Sequence, residues 1–271
     1  MNHHIRLGLY EKAMPGDMSV RDKLLLAKRC GFDWMEISID ETPQKMGRVF
    51  DRDAAAAIAR DVRETGVPVD TMCLSGHRKY PLGEDDPMNL DLMFHAVDFA
   101  RAVGIRLIQI AGYDTYYHPS TPDTVARFGE NLARAVGYAA ANGVCLGFET
   151  METPFMNSTE KAMKYVTAVG SPWLGVYPDV GNVTNAVPDA CADLLTGRGH
   201  IFAAHLKDTK PGIFRDLEFG EGRVDFDACV RTLLSMGVRM FNCEFWYDGH
   251  TDPETYIRRN ADYVKAVFAR T

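Results

Sequence analysis

The sequence is short of positive charge: 30 Lys and Arg against 37 Asp and Glu leave a formal net charge of −7 and a pI near 5.6. Without a basic footprint, attraction to a nucleic-acid backbone or an anionic membrane surface is not the organising feature, and neither kind of partner is expected. No 18-residue apolar run occurs, and Met1 to Tyr10 leads straight into an apolar strand without a signal-peptide core, so a soluble cytoplasmic protein is expected. The six cysteines (Cys30, Cys73, Cys145, Cys191, Cys229 and Cys243) include no C-x-x-C pair, which points to reduced, buried thiols rather than a disulfide or zinc framework. Fixed-period repeats, low-complexity tracts and Pro/Ser linkers are also absent, so nothing divides the 271 residues and one domain over 1–271 is expected.

What the sequence does have is alternation. Short apolar, β-branched runs that end in polar residues are each followed by a stretch of helical periodicity, the pattern of βαβ units on a parallel sheet. Eight strands are predicted, over 5–10, 34–39, 68–75, 105–111, 144–149, 174–179, 201–205 and 240–245. Helices are predicted over 20–30, 52–64, 89–103, 122–142, 159–169, 227–236 and 253–269. Ser19 and Asp225 are placed to cap helix starts, and Gly31, Gly104, Gly143 and Gly237 to end helices that feed the next strand. With 46% apolar residues the chain can fill one large core. Eight such units fit a closed (β/α)₈ TIM barrel better than a doubly wound sheet, because no G-x-G-x-x-G follows the first strand.

A barrel places its chemistry at the C-terminal ends of its strands. There the late strands end in Gly147-Phe148-Glu149, Tyr177-Pro178-Asp179, Ala204-His205 and Cys243-Glu244-Phe245. A lone strand-end Glu is more often half of a rim ion pair, for which Lys207 is available, and an Asp after Pro178 as often caps a helix. A lone His205 would more often be a satisfied core histidine. Taken together, three acidic groups on one rim repel unless a cation lies between them, so Glu149, Asp179, His205 and Glu244 are the candidate ligands of one divalent metal ion. This donor set favours Mn²⁺, with Mg²⁺, Co²⁺ or Zn²⁺ also possible, and leaves positions for substrate oxygens. His200 starts the seventh strand and belongs to the opposite, structural face. His3, His4, His95, His118 and His250 are expected to be solvated.

Glu149 and Glu244 come from the first and last of the four ligand strands and approach the ion from opposite sides. A ketose chelating it through a ketone and the adjacent hydroxyl would form a metal-bound enediolate, one Glu removing a proton from one face and the other delivering one to the opposite face. That is epimerisation, with Glu149 and Glu244 as the catalytic pair.

Several blocks of the sequence, Leu7 to Met14, Met72 to Gly83, Ile108 to Tyr117, Tyr177 to Asn182, His205 to Gly212 and Phe219 to Phe226, closely resemble the L-ribulose-5-phosphate 3-epimerases, also called L-xylulose-5-phosphate 3-epimerases. These belong to the sugar phosphate isomerase/epimerase superfamily of metal-dependent barrels. The resemblance implies the same metal ligands, with the two glutamates as acid/base pair. Ketose 3-epimerases acting on unphosphorylated sugars are similar around the fifth strand, but carry a Glu where this chain has Phe155 and a His where it has Asn182. Both differences favour a phosphorylated pentulose, although Glu152 could partly replace the missing acid.

Phosphate needs local cations or free amides. Lys12, His77, Arg78, Lys79, Lys207, Lys210 and Arg215 lie in rim loops, with the His77 loop favoured. The Gly220-Glu221-Gly222 turn is read instead as the tight approach to a helix capped by Asp225. A ketose 3-epimerase for unphosphorylated sugars and an aldose/ketose isomerase remain alternatives. A three-metal DNA-repair endonuclease lacks its extra histidines here, and a non-catalytic sugar sensor has no need of both glutamates. A small ketose (phosphate) substrate and a homo-oligomer are expected.

Overall fold

The computed structural model describes residues 5–271. Eight parallel strands, β1 (Arg6–Tyr10), β2 (Trp34–Ile39), β3 (Val69–Leu74), β4 (Leu107–Ala111), β5 (Cys145–Glu149), β6 (Leu174–Val176), β7 (Ala204–Leu206) and β8 (Met240–Cys243), form one sheet in the order β6-β5-β4-β3-β2-β1-β8-β7. Parallel bridges from Val176 to Ile201 and from Asp179 to His205 join its two ends and close the barrel. The fold is therefore the expected (β/α)₈ barrel, with all eight predicted strands present in order.

β6 and β7 are shorter than predicted, at three residues each. Pro178 has no amide to donate after β6, so the ladder stops there. Pairing resumes one residue later, where the His205 amide donates to the Pro178 carbonyl at 2.9 Å. This brings Asp179 and His205 to one level. One strand pair further on, the Glu244 amide donates to the Leu206 carbonyl at 2.8 Å. On the other side Glu149 is in register with Ala111 of β4.

The predicted caps form. Ser19 accepts from the Asp22 amide and Asp225 from the Ala228 amide. Gly104 ends its helix at φ 99°, a left-handed conformation that costs glycine little. Three helices were not anticipated: Pro43–Phe50, Val180–Ala186 and Ala190–Thr196. Each is at most eight residues long, too short for its apolar period to register. His3 and His4 lie outside the described residues. His118, His200 and His250 are exposed and His95 is half-buried, all away from the strand-end cluster.

Candidate active site

The four predicted ligands converge. Glu149, Asp179, His205 and Glu244 are all buried and each offers an atom within 4.8 Å of the others. His205 Nδ1 is the centre of the group, 2.8 Å from Glu244 Oε2, 3.7 Å from Glu149 Oε1 and 4.0 Å from Asp179 Oδ2. Asp179 is both a cap and a candidate ligand. Its Oδ1 accepts the Asn182 amide at 2.8 Å, capping the helix Val180–Ala186, while Oδ2 lies 2.8 Å from Lys207 Nζ.

Thr150 fixes the Asp179 backbone, its hydroxyl accepting from the Asp179 amide at 2.9 Å. Gln109 of β4 donates to Glu149 Oε2.

The electrostatics show positive charge in short supply. Burial, only partly offset by the Lys207 ammonium and reinforced by Glu244 and Glu149, pushes Asp179 up to about 8. Burial also works against ionisation of Glu244, but Lys207 and His205 outweigh it and hold that carboxyl well below the usual range. The same exchange runs through the cations. Burial disfavours charged His205, yet Glu36 and Glu244 raise its pKa well above the ordinary value. The buried carboxylates Glu36, Glu149, Asp179 and Glu244 thus outnumber the cations Lys207 and His205, and the shortfall of positive charge is felt at Asp179. A divalent ion would supply that charge, and the oxygen-rich donor set with one imidazole fits it.

Above the cluster a cavity is lined by Tyr10, Lys12, Ser75, Arg78, Glu152, Asn182, Lys207, Arg215 and Trp246, among others. Lys12 Nζ is 2.7 Å from Asp40 Oδ2, and Lys207 and Arg215 lie 5.9 and 5.6 Å from the centre of the Trp246 ring. Asn182 Nδ2 donates to the Thr150 carbonyl at 2.7 Å, while its buried Oδ1 has no partner. Glu152 receives long bonds from Tyr113 and Tyr116, at 3.4 and 3.5 Å, and lies 3.9 Å from Arg78. Phe155 packs its ring against Phe128 and Tyr165, so nothing at that position offers an acid to the cavity.

Three of the rim residues singled out from the sequence lie away from the cavity lining. His77 is fully buried, donates from Nε2 to the Asn89 carbonyl at 3.1 Å, and is pushed by burial down to about 4, so it is neutral near pH 7 and does not line the cavity. Lys79 is exposed outside the cavity, its ammonium 5.2 Å from the centre of the Tyr80 ring. Lys210 is likewise exposed and away from the lining. The favoured loop does reach the site, but through Ser75 and Arg78. The amides of Gly220 and Gly222 are taken by Asp208 Oδ2, at 2.9 and 2.8 Å, in keeping with the reading of that turn as structural.

Sequence reasoning missed Glu36, Gln109, Ser75 and Trp246. The first two carried a signal: Glu36 is the one charged residue within Trp-Met-Glu-Ile-Ser-Ile, and Gln109 the one polar residue within Leu-Ile-Gln-Ile-Ala.

The profile described as Xylose isomerase-like TIM barrel matches residues 24–267. The L-ribulose-5-phosphate 3-epimerase of Escherichia coli is 41% identical over 276 aligned positions, covering 100% of this chain and 97% of the relative. The chain belongs to the L-ribulose-5-phosphate 3-epimerase family. It is accordingly an isomerase of the carbohydrate epimerase type. Solved structures share the fold at low identity. An L-ribulose 3-epimerase superimposes with a TM-score of 0.82 at 15% identity, covering 98% of this chain and 95% of that one. The IOLI protein with a bound zinc atom gives 0.80 at 16%, covering 98% and 99%.

Proposed function

We propose that this chain is a metal-dependent 3-epimerase interconverting L-ribulose 5-phosphate and L-xylulose 5-phosphate, with residues 1–271 as one catalytic domain. The observation that carries the proposal is the convergence of Glu149, Asp179, His205 and Glu244 within 4.8 Å at the mouth of the barrel. These four residues would hold one divalent ion, Mn²⁺ in first place, with Mg²⁺, Co²⁺ or Zn²⁺ as other fits to the donor set. Zinc occupies the IOLI structure of the same fold. When bound, the ion polarises the sugar carbonyl and offsets negative charge growing on its oxygen.

The chain supplies the proton transfers. Glu149 and Glu244 are the acid/base pair: one carboxylate removes the proton at C3, and the other delivers a proton to the opposite face of the same carbon. The pair works in either direction, as a reversible epimerisation requires. Gln109 holds Glu149, while Lys207 stands beside Glu244. Lys207, beside both Asp179 and Glu244, adds positive charge near the developing enediolate. Trp246 offers an apolar wall to the sugar.

The phosphate is assigned to the opposite part of the cavity, with Arg78, Lys12 and the buried, unpartnered hydroxyl of Ser75 as its ligands. Glu152 and Asn182 are assigned to sugar hydroxyls. Free thiols at all six cysteines suit the reducing cytoplasm, and no helix among the described residues is long and apolar enough to cross a membrane. A homo-oligomer is the proposed working form.

The test is proton NMR of both pentulose phosphates in D₂O with enzyme and Mn²⁺. Deuterium at C3 accompanied by interconversion is expected, with both signals lost in Glu149→Gln and in Glu244→Gln. Exchange at C1 with aldose formation would instead identify an aldose/ketose isomerase. Near-normal turnover in either variant would refute the acid/base assignment.

A further inference from the structure

Directly behind the ligand cluster lies a carboxylate to which no role has yet been given. Glu36, at the centre of β2, is completely buried and receives four hydrogen bonds from four different segments. Its Oε1 accepts from His205 Nε2 at 2.6 Å and from Asn242 Nδ2 at 2.8 Å. Its Oε2 accepts from Thr71 Oγ1 at 2.6 Å and from the Tyr177 hydroxyl at 3.0 Å.

A carboxylate surrounded by four donors is an acceptor only, so the hydrogen in its short contact with His205 sits on Nε2. The other ring nitrogen, Nδ1, faces Glu149, Asp179 and Glu244 and donates to Glu244 Oε2 at 2.8 Å, through the proton that a metal ion would displace. Aromatic neighbours hold the ring in that orientation. Tyr177 packs edge-on at 4.8 Å between centroids, and Tyr10 stands 6.2 Å away on a tilted plane.

We infer that Glu36 is a positioning residue of the metal centre, pinning the proton of His205 on Nε2 so that the Nδ1 lone pair is reserved for the divalent ion. This rests on reading the four-residue cluster as a metal centre. A carboxylate behind a ligating imidazole fixes the ring's tautomer and increases its strength as a donor, and loss of such a partner weakens metal binding roughly 10- to 100-fold. Glu36 touches neither the cavity nor any substrate position, so its effect passes through His205 alone.

The decisive variant is Glu36→Gln, which keeps the shape and an accepting oxygen for the ring but removes the charge. Metal-stripped wild type and variant are titrated with Mn²⁺, with free ion followed by electron paramagnetic resonance. The expected result is a dissociation constant raised about 10- to 100-fold in the variant. Saturating Mn²⁺ should return kcat to within a few-fold of wild type, which a general packing defect would not allow. Equal affinity in the two proteins overturns the role of Glu36 and leaves the metal centre intact. Wild type that takes up no Mn²⁺ overturns the metal centre itself, and this inference with it. Should Glu36→Gln not fold, nitrogen-15 NMR of the Mg²⁺-loaded wild type decides: a proton on His205 Nε2 supports the assignment, and a proton on Nδ1 refutes it.

Discussion

Lys207 Nζ lies 2.8 Å from Asp179 Oδ2, in a position where both side chains are almost completely withdrawn from solvent. Burial works against the charge on the lysine, but Asp179, Glu244 and Glu149 outweigh it and favour the ammonium form. Removing this cation leaves a cluster of carboxylates with only His205 to offset them. Lys207→Met is therefore expected to lower the melting temperature of the metal-free protein by about 5 °C or more, since an uncompensated buried charge costs roughly 3 kcal/mol. Added Mn²⁺ should recover most of that loss by supplying the missing charge. Scanning calorimetry with and without the ion checks both halves, and an unchanged metal-free melt would contradict the account.

Ser75 and Arg78 should discriminate phosphorylated from unphosphorylated ketoses. A hydrogen bond to a charged group contributes about 1.5 to 3 kcal/mol, so Arg78→Ala is expected to raise KM for a pentulose phosphate roughly 10- to 100-fold. KM for the corresponding free pentulose should hardly move. Steady-state kinetics on the two sugars measures the contrast. Equal losses on both would place the phosphate elsewhere.

Glu11 should govern acid stability away from the chemistry. This fully buried carboxylate, just after β1, meets Lys23 at 3.1 Å, Lys45 at 3.3 Å and Arg48 at 2.8 Å. Burial opposes its ionisation, but Arg48, Lys45 and Lys23 prevail and hold it far below the usual carboxylate range. Because the folded-state pKa is depressed, the stabilisation is complete above the ordinary Glu pKa of about 4.3 and fades as pH falls below it. Glu11→Gln should then cost about 3 kcal/mol at pH 7, with the gap from wild type narrowing between about pH 4 and pH 3. Thermal melts of the two proteins across that range provide the check, and a constant gap would contradict the assignment.

The strands were legible because an apolar run bounded by turn residues is a local property. The same holds for the four strand-end ligands, since barrel topology alone brings Glu149, Asp179, His205 and Glu244 to one rim. Depth was not legible. His77 and Arg78 are neighbours in a rim loop and look equally available in the chain, yet one ring is sealed beneath Asn89 and the other side chain lines the cavity. Glu36 was overlooked for a related reason. Its four donors lie 35 to 206 residues away along the chain, so no window of sequence contains its environment.

Asp208 anchors both the start and the end of the excursion that follows β7, accepting from the amides of Thr209, Gly220, Gly222 and Val224. Gly222 is required at this junction, because a Cβ there would fall 2.0 Å from Asp208 Oδ1. The span between those anchors carries Phe214 and Arg215 to the cavity, while its ends are tied to a single side chain next to the barrel. For a protein engineer this makes the span a replaceable cassette: its length and composition can be exchanged to suit another sugar while both splice points stay where they are.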